Sequence, residues 1–125
     1  MVELAAVVAC MLLLGLAVLQ AGLAAGRPWG RLAWGGQHDV LPRQLRISSA
    51  VSIAVYVFFA AVALTAGGLV GLLPEDFAGG AAWFIAAYSA LGVALNGISR
   101  SRPERAVMTP VSLVLAVCFL IIALA

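Results

Sequence analysis

The chain has 125 residues, 65% of them hydrophobic and 10% charged, with a mean hydropathy of +1.15 and a formal net charge of +2. A water-soluble domain carries roughly 45–50% apolar and about 25% charged residues, so a soluble fold is excluded: this much apolar surface has nowhere to hide from water. All seven basic residues are arginine, divided between two stretches that make neither a basic face nor an aromatic-lined groove, which argues against nucleic acid binding.

From Val2 to Ala25 the chain is apolar. It enters this run at Met1-Val2-Glu3 without the basic leader or small-residue cleavage site of a signal peptide, so helix 1, about residues 2–25, is expected to stay in the mature protein. Loop 1, residues 26–41, begins Gly-Arg-Pro-Trp-Gly-Arg-Leu-Ala-Trp-Gly-Gly. That mixture suits a tight segment partly inserted at a membrane interface, with Trp29 and Trp34 at headgroup level. Asp39 or a neighbour is expected to cap helix 2, about residues 42–73, whose first turn holds Pro42 and projects Arg43 and Arg46 from the membrane surface. An outer loop, 74–80, carries Glu75 and Asp76 and no base, and helix 3 follows over about 81–99.

Residues 100–102 form the second arginine-bearing connection. Ser101-Arg102-Pro103-Glu104 has the form of a capping box with proline in the first turn, where its missing N–H is no loss, and starts helix 4 over about 103–124. Pro110 lies well inside that helix and is expected to kink it and free the carbonyl of Ala106, which Thr109 or Ser112 could satisfy.

The four apolar runs each approach the ~20 residues needed to span a hydrocarbon core about 30 Å thick, and apart from Glu3 at the very start of the first none contains a charged side chain. In lipid the backbone must satisfy its own hydrogen bonds, and the period-two alternation of a barrel is absent, so the expected fold is an all-α membrane protein with four transmembrane helices in a bundle. Spans alternate direction, which puts every arginine on one side. The positive-inside bias makes that side cytoplasmic and leaves both the N-terminus and the C-terminus outside. Such asymmetry also argues against a dual-topology antiparallel assembly.

Polar side chains within the spans gather at the arginine-bearing end: Gln20, Ser48, Ser49, Ser52, Asn96, Ser99, Thr109 and Ser112. Polar groups in hydrocarbon face other helices or water, which suggests a polar lining at the cytoplasmic mouth, able with the loop arginines to receive an anionic headgroup or phosphate. The candidate ligand-binding residues are Gln20, Arg27, Arg31, Trp34, His38, Arg46, Ser49, Asn96, Arg100 and Arg102. The plainer alternative is that the serines bond back to their own helices while Gln20 and Asn96 join neighbouring ones. Beyond Glu3 at the outer end of the first run, no aspartate, glutamate or base lies within the apolar runs, which argues against an ion-coupled transporter.

His38 beside Asp39 has no candidate nucleophile or second metal ligand, so no catalytic residue, metal site or cofactor is assigned. Cys10 and Cys118 lie in apolar runs and are read as small hydrophobes, with a disulfide between helices 1 and 4 geometrically conceivable. Gly22 with Gly26, and Gly67 with Gly71, have GxxxG spacing and support close packing.

At Ala33-Trp34-Gly35-Gly36-Gln37-His38 with Leu41-Pro42, at Leu45-Arg46-Ile47-Ser48-Ser49, at Asn96-Gly97-Ile98-Ser99-Arg100-Ser101 through Glu104, and at Met108-Thr109-Pro110, the chain resembles a group of small four-span bacterial, actinobacterial-like, integral membrane proteins without an assigned activity. The resemblance covers the arginine-bearing connections and their flanking helix ends. It implies a multi-pass protein of the bacterial plasma (inner) membrane from a high-GC organism, and carries over no functional residues.

Three expectations follow. The first is a non-enzymatic binding or partner-interaction module with a polar, arginine-rimmed cytoplasmic face, taking anionic lipid or another membrane protein. The second is a small-solute transporter or channel subunit acting as a homo-oligomer, because four short helices enclose little volume. The third is a membrane-embedded enzyme using His38 and the loop arginines.

Overall fold

The computed structural model describes residues 1–125 and is all-helical. Four long helices follow in order, α1 Val2–Ala24, α2 Arg43–Ala66, α3 Glu75–Gly97 and α4 Arg102–Leu124, with two short 3-10 turns, Gly30–Leu32 and Trp34–Gly36, between the first two. Each long helix has 23 or 24 residues and is apolar enough to cross a membrane. At 1.5 Å per residue that is about 35 Å, a little more than the hydrocarbon thickness.

Glycine in the left-handed region ends α1 and α2. Gly26 has φ +90°, and the Arg27 and Gly26 amides donate back to the carbonyls of Gly22 and Leu23. Gly68 has φ +76°, and the Leu69 and Gly68 amides donate to Leu64 and Thr65 in the same pattern. Both are Schellman caps, which satisfy carbonyls that the last helical turn leaves unpaired. The apolar run continues to Leu73, yet α2 stops at Ala66 for this reason. Buried Thr65 then fixes the connection, its Oγ1 accepting from the amides of Leu72 and Leu73 at 3.2 Å each. Glu75 and Asp76 occupy the first turn of α3, where the helix dipole favours negative charge, so the helix begins where the sequence reading placed a loop.

A single apolar core draws on all four long helices, with Ala5, Ala6, Ala9 and Leu13 meeting Phe59, Val62 and Ala63, Ala82, Ile85 and Ala86, and Leu115, Cys118, Phe119 and Ile122. The α1 alanines permit close approach, and Gly67 abuts Ala6 so tightly that an added Cβ would lie 2.6 Å from the Ala6 methyl. Phe59 stands edge-on to both Phe119 and Tyr88, at centroid separations of 6.4 and 5.7 Å. The most extensive helix contacts are α3 on α4 and α1 on α2, while α2 touches α3 much less. Only 22–28% of each span is buried within the protein, and large apolar residues such as Leu4, Met11, Val57, Phe84 and Leu95 cover the outer surface. Such a surface is suited to lipid and unsuited to water.

Several local expectations change. Pro42, without a side-chain cap, precedes α2, because Asp39 is held by Arg31 in a 2.9 Å ion pair. Pro110 does sit inside α4, but Ser112 takes a hydrogen bond from Asn96 and Thr109 Oγ1 is buried without a partner, so neither serves the Ala106 carbonyl. Cys10 and Cys118 are free thiols, Cys10 lying against the Ala60 carbonyl of α2. At Gly22 the nearest neighbour is the Trp29 ring, which lies directly on it, where a Cβ would overlap the indole.

A candidate ligand cavity beneath loop 1

Loop 1 folds back over the ends of the helices instead of lying beside them. Gly30 is buried and donates to the Asp39 carbonyl at 2.8 Å, pinching the segment so tightly that a Cβ there would collide with the His38 carbonyl. Within this pinch Trp34, Gly35 and Gly36 all have positive φ, at 53°, 77° and 69°. Glycine accepts that conformation freely, whereas a tryptophan there costs about 1–2 kcal/mol.

Three tertiary contacts hold the strained turn. Trp34 Nε1 donates to Ser49 Oγ of α2 at 3.1 Å, the Gly35 amide donates to Glu104 Oε2 of α4 at 3.2 Å, and Ser101 Oγ donates to the Arg31 carbonyl. Gly36 packs where a Cβ would overlap the Ser101 side chain. The segment thereby bridges α2 and α4.

Beneath this bridge lies a cavity of about 400 Å³. Leu13, Leu16 and Leu19 of α1, Phe59 of α2, Leu91 and Leu95 of α3 and Leu115 of α4 supply much of its apolar wall. Its polar wall is Gln20, Ser52, Tyr56, Ser89, Asn96, Ser112 and Glu104, and Leu32 to Gly35 form the roof. Tyr88, Leu91 and Leu95 line it while remaining 54%, 57% and 58% exposed, so the cavity opens along that flank of α3, where it departs from α2. The volume lies within the roughly 300–1,000 Å³ of small-molecule sites, and an apolar wall with a few convergent polar groups is their usual composition.

The polar wall is only partly satisfied internally. Asn96 Nδ2 donates to Ser112 Oγ at 2.8 Å and approaches the Met108 carbonyl at 3.4 Å, joining α3 to α4 opposite Pro110. Gln20 Nε2 reaches the Tyr56 hydroxyl at 3.5 Å, but its Oε1 is buried without a donor. Glu104 is 6% exposed, and its carboxylate accepts from Gly35. Ser101 Oγ accepts weakly from the Glu104 amide at 3.4 Å, which is one half of the capping box. The other half is missing: the Ser101 amide turns to Ser99 Oγ, and the Glu104 side chain faces the cavity.

The sequence-predicted residues divide into separate groups. Gln20, Trp34 and Asn96 line the cavity, with Ser49 just outside it as the anchor for Trp34. Arg46 serves the fold, its Nε donating to the Ala24 carbonyl at the end of α1. Arg31, Arg100 and Arg102 border a shallow open depression on the outer side of the loop, while Arg27 and His38 are exposed and make no side-chain hydrogen bond or ion pair. Ser48 and Ser52 bond back to the carbonyls of Gln44 and Ser48, as helix serines commonly do.

Glu104, Tyr56, Tyr88 and Ser89 are cavity residues that sequence reasoning missed. A signal existed for Glu104. Residues 104, 108, 111, 115, 118 and 122 form one stripe of four- and three-residue steps, so the carboxylate continues the inward face of α4. No family model matches the chain, and no curated protein or solved structure matches it.

Proposed function

We propose that the chain is a binding module of the bacterial plasma membrane, a four-helix bundle with both termini outside and its arginine-bearing connections in the cytoplasm. It admits an amphipathic small molecule from the bilayer through the gap between α2 and α3 and holds it beneath loop 1. One observation carries this reading: a cavity of about 400 Å³ combines apolar and incompletely satisfied polar walls and opens on a flank of a membrane-length helix. The arginines support this orientation, since all of them lie at the end of the helices where the cavity is roofed. Exposed Arg100 and Arg102 suit contact with anionic headgroups at that surface.

Transport through a single chain has less support. Past the cavity, the helices close on the packed core around Phe59, Ile85 and Phe119, with no polar path through it.

Native mass spectrometry of protein released from membranes tests the reading. Gly92 lines the cavity, and a Cβ there meets Ser112 only at ordinary contact distance, so Gly92→Phe places a ring in the cavity. Wild type should retain an amphiphile that the variant loses. Equal retention by both would contradict the proposal.

A further inference from the structure

The cavity is lined by an acidic side chain with which no base of the protein pairs. Glu104 is 6% exposed, yet the chain's one ion pair, Arg31 with Asp39, lies on the surface. Arg105, next in sequence, directs its guanidinium to the Ser99 carbonyl instead. The Glu104 carboxylate accepts one backbone hydrogen bond, from Gly35, at the N-terminal end of α4, and no cationic side chain pairs with it, so it keeps acceptor capacity for a cationic donor.

A second group on the same wall points the same way. Gln20 is 7% exposed, and only its Nε2 has a partner, a long contact to the Tyr56 hydroxyl. Whichever way the amide is turned, one of its polar ends lacks a partner inside the protein, on a residue that lines the cavity. The rings of Tyr56 and Tyr88 complete the lining, and aromatic faces attract cations once water is excluded.

We propose that the cavity is a site for an amphipathic organic cation, a protonated amine whose ammonium donates to the Glu104 carboxylate and whose apolar body lies along Leu91 and Leu95. A neutral amphiphile would leave Glu104 unpaired, and an anionic one would be repelled. This assignment rests on the cavity being a small-molecule site and names the class of molecule it takes.

Dansylcadaverine, a fluorescent lipophilic primary amine, and its N-acetyl derivative, which keeps the body and loses the charge, separate the possibilities. Both are titrated by fluorescence polarisation against protein in nanodiscs of zwitterionic phosphatidylcholine, with empty nanodiscs as background. Wild type should bind the amine saturably and at least about tenfold more tightly than the acetyl derivative, as expected for one desolvated charge-assisted hydrogen bond. Glu104→Gln keeps an acceptor for the Gly35 amide, so loop 1 stays in place while amine binding falls about tenfold to the level of the acetyl probe. Equal binding of the two probes by wild type would overturn the cation assignment and leave the cavity as a site for amphiphiles of any charge. Saturable binding of neither would overturn both readings. If Glu104→Gln fails to fold, the wild-type comparison of the two probes decides alone.

Discussion

The Gly35 amide and the Glu104 carboxylate meet at 3.2 Å across 69 residues of chain, so the roof of the cavity is tied to its most buried charge. Removing the acceptor should therefore loosen loop 1, and removing only the charge should not. Glu104→Ala is expected to speed amide hydrogen exchange through residues 30–39 by about tenfold, and Glu104→Gln to leave it within about twofold, given that one such bond contributes roughly 1–2 kcal/mol. Hydrogen-exchange mass spectrometry of the two variants would read the difference, and identical protection in both would count against the tie.

The indole of Trp34 and the hydroxyl of Ser49 form the second tie, and they should behave as a coupled pair. Trp34→Phe strands a fully buried Ser49 oxygen, and Ser49→Ala strands the indole N–H. Each is expected to lower stability by about 1–2 kcal/mol, and the double variant by clearly less than their sum. Additive losses in a thermal double-mutant cycle would show that the pair does not interact.

Glycines of the chain should respond oppositely to alanine. Gly30→Ala drives a methyl into the His38 carbonyl and should displace loop 1, whereas Gly15, where an added methyl would meet nothing within 4 Å, should accept alanine with a gain of about 0.5–1 kcal/mol. Limited proteolysis within residues 30–39 reports the first, and thermal unfolding the second. A protease-resistant Gly30→Ala would mean that the pinch at Asp39 can open to admit a methyl.

Asn96 joins α3 to α4 through Ser112, so Asn96→Leu should cost stability by about 0.6–2 kcal/mol, the range measured for hydrogen bonds between membrane helices. A thermal midpoint unchanged from wild type would assign Asn96 to the ligand alone.

The four long apolar helices were legible in the sequence because hydropathy over about 20 residues needs no knowledge of partners. Their ends were less so. The apolar run through Leu73 concealed the cap at Gly68, which depends on a backbone angle and not on polarity. Gln20 and Asn96 were legible as cavity residues because polar side chains in apolar runs stand out. Glu104 was not, since four residues of capping-box pattern explain a carboxylate at that place without reference to the inward stripe it begins. The roof was beyond reach, because the left-handed turn at Trp34 to Gly36 exists only through contacts with Ser49, Ser101 and Glu104 on other elements.

Photo-crosslinking in the membrane reports whether an amphipathic molecule enters beneath loop 1. A short alkylamine bearing a diazirine, activated in vesicles containing the protein and mapped by peptide mass spectrometry, should mark the less exposed cavity residues Leu16, Ser89, Met108 and Leu115, and those marks should vanish with Gly92→Phe. Adducts spread over outward-facing residues such as Leu4, Val57 and Phe84, and indifferent to Gly92→Phe, would contradict such entry.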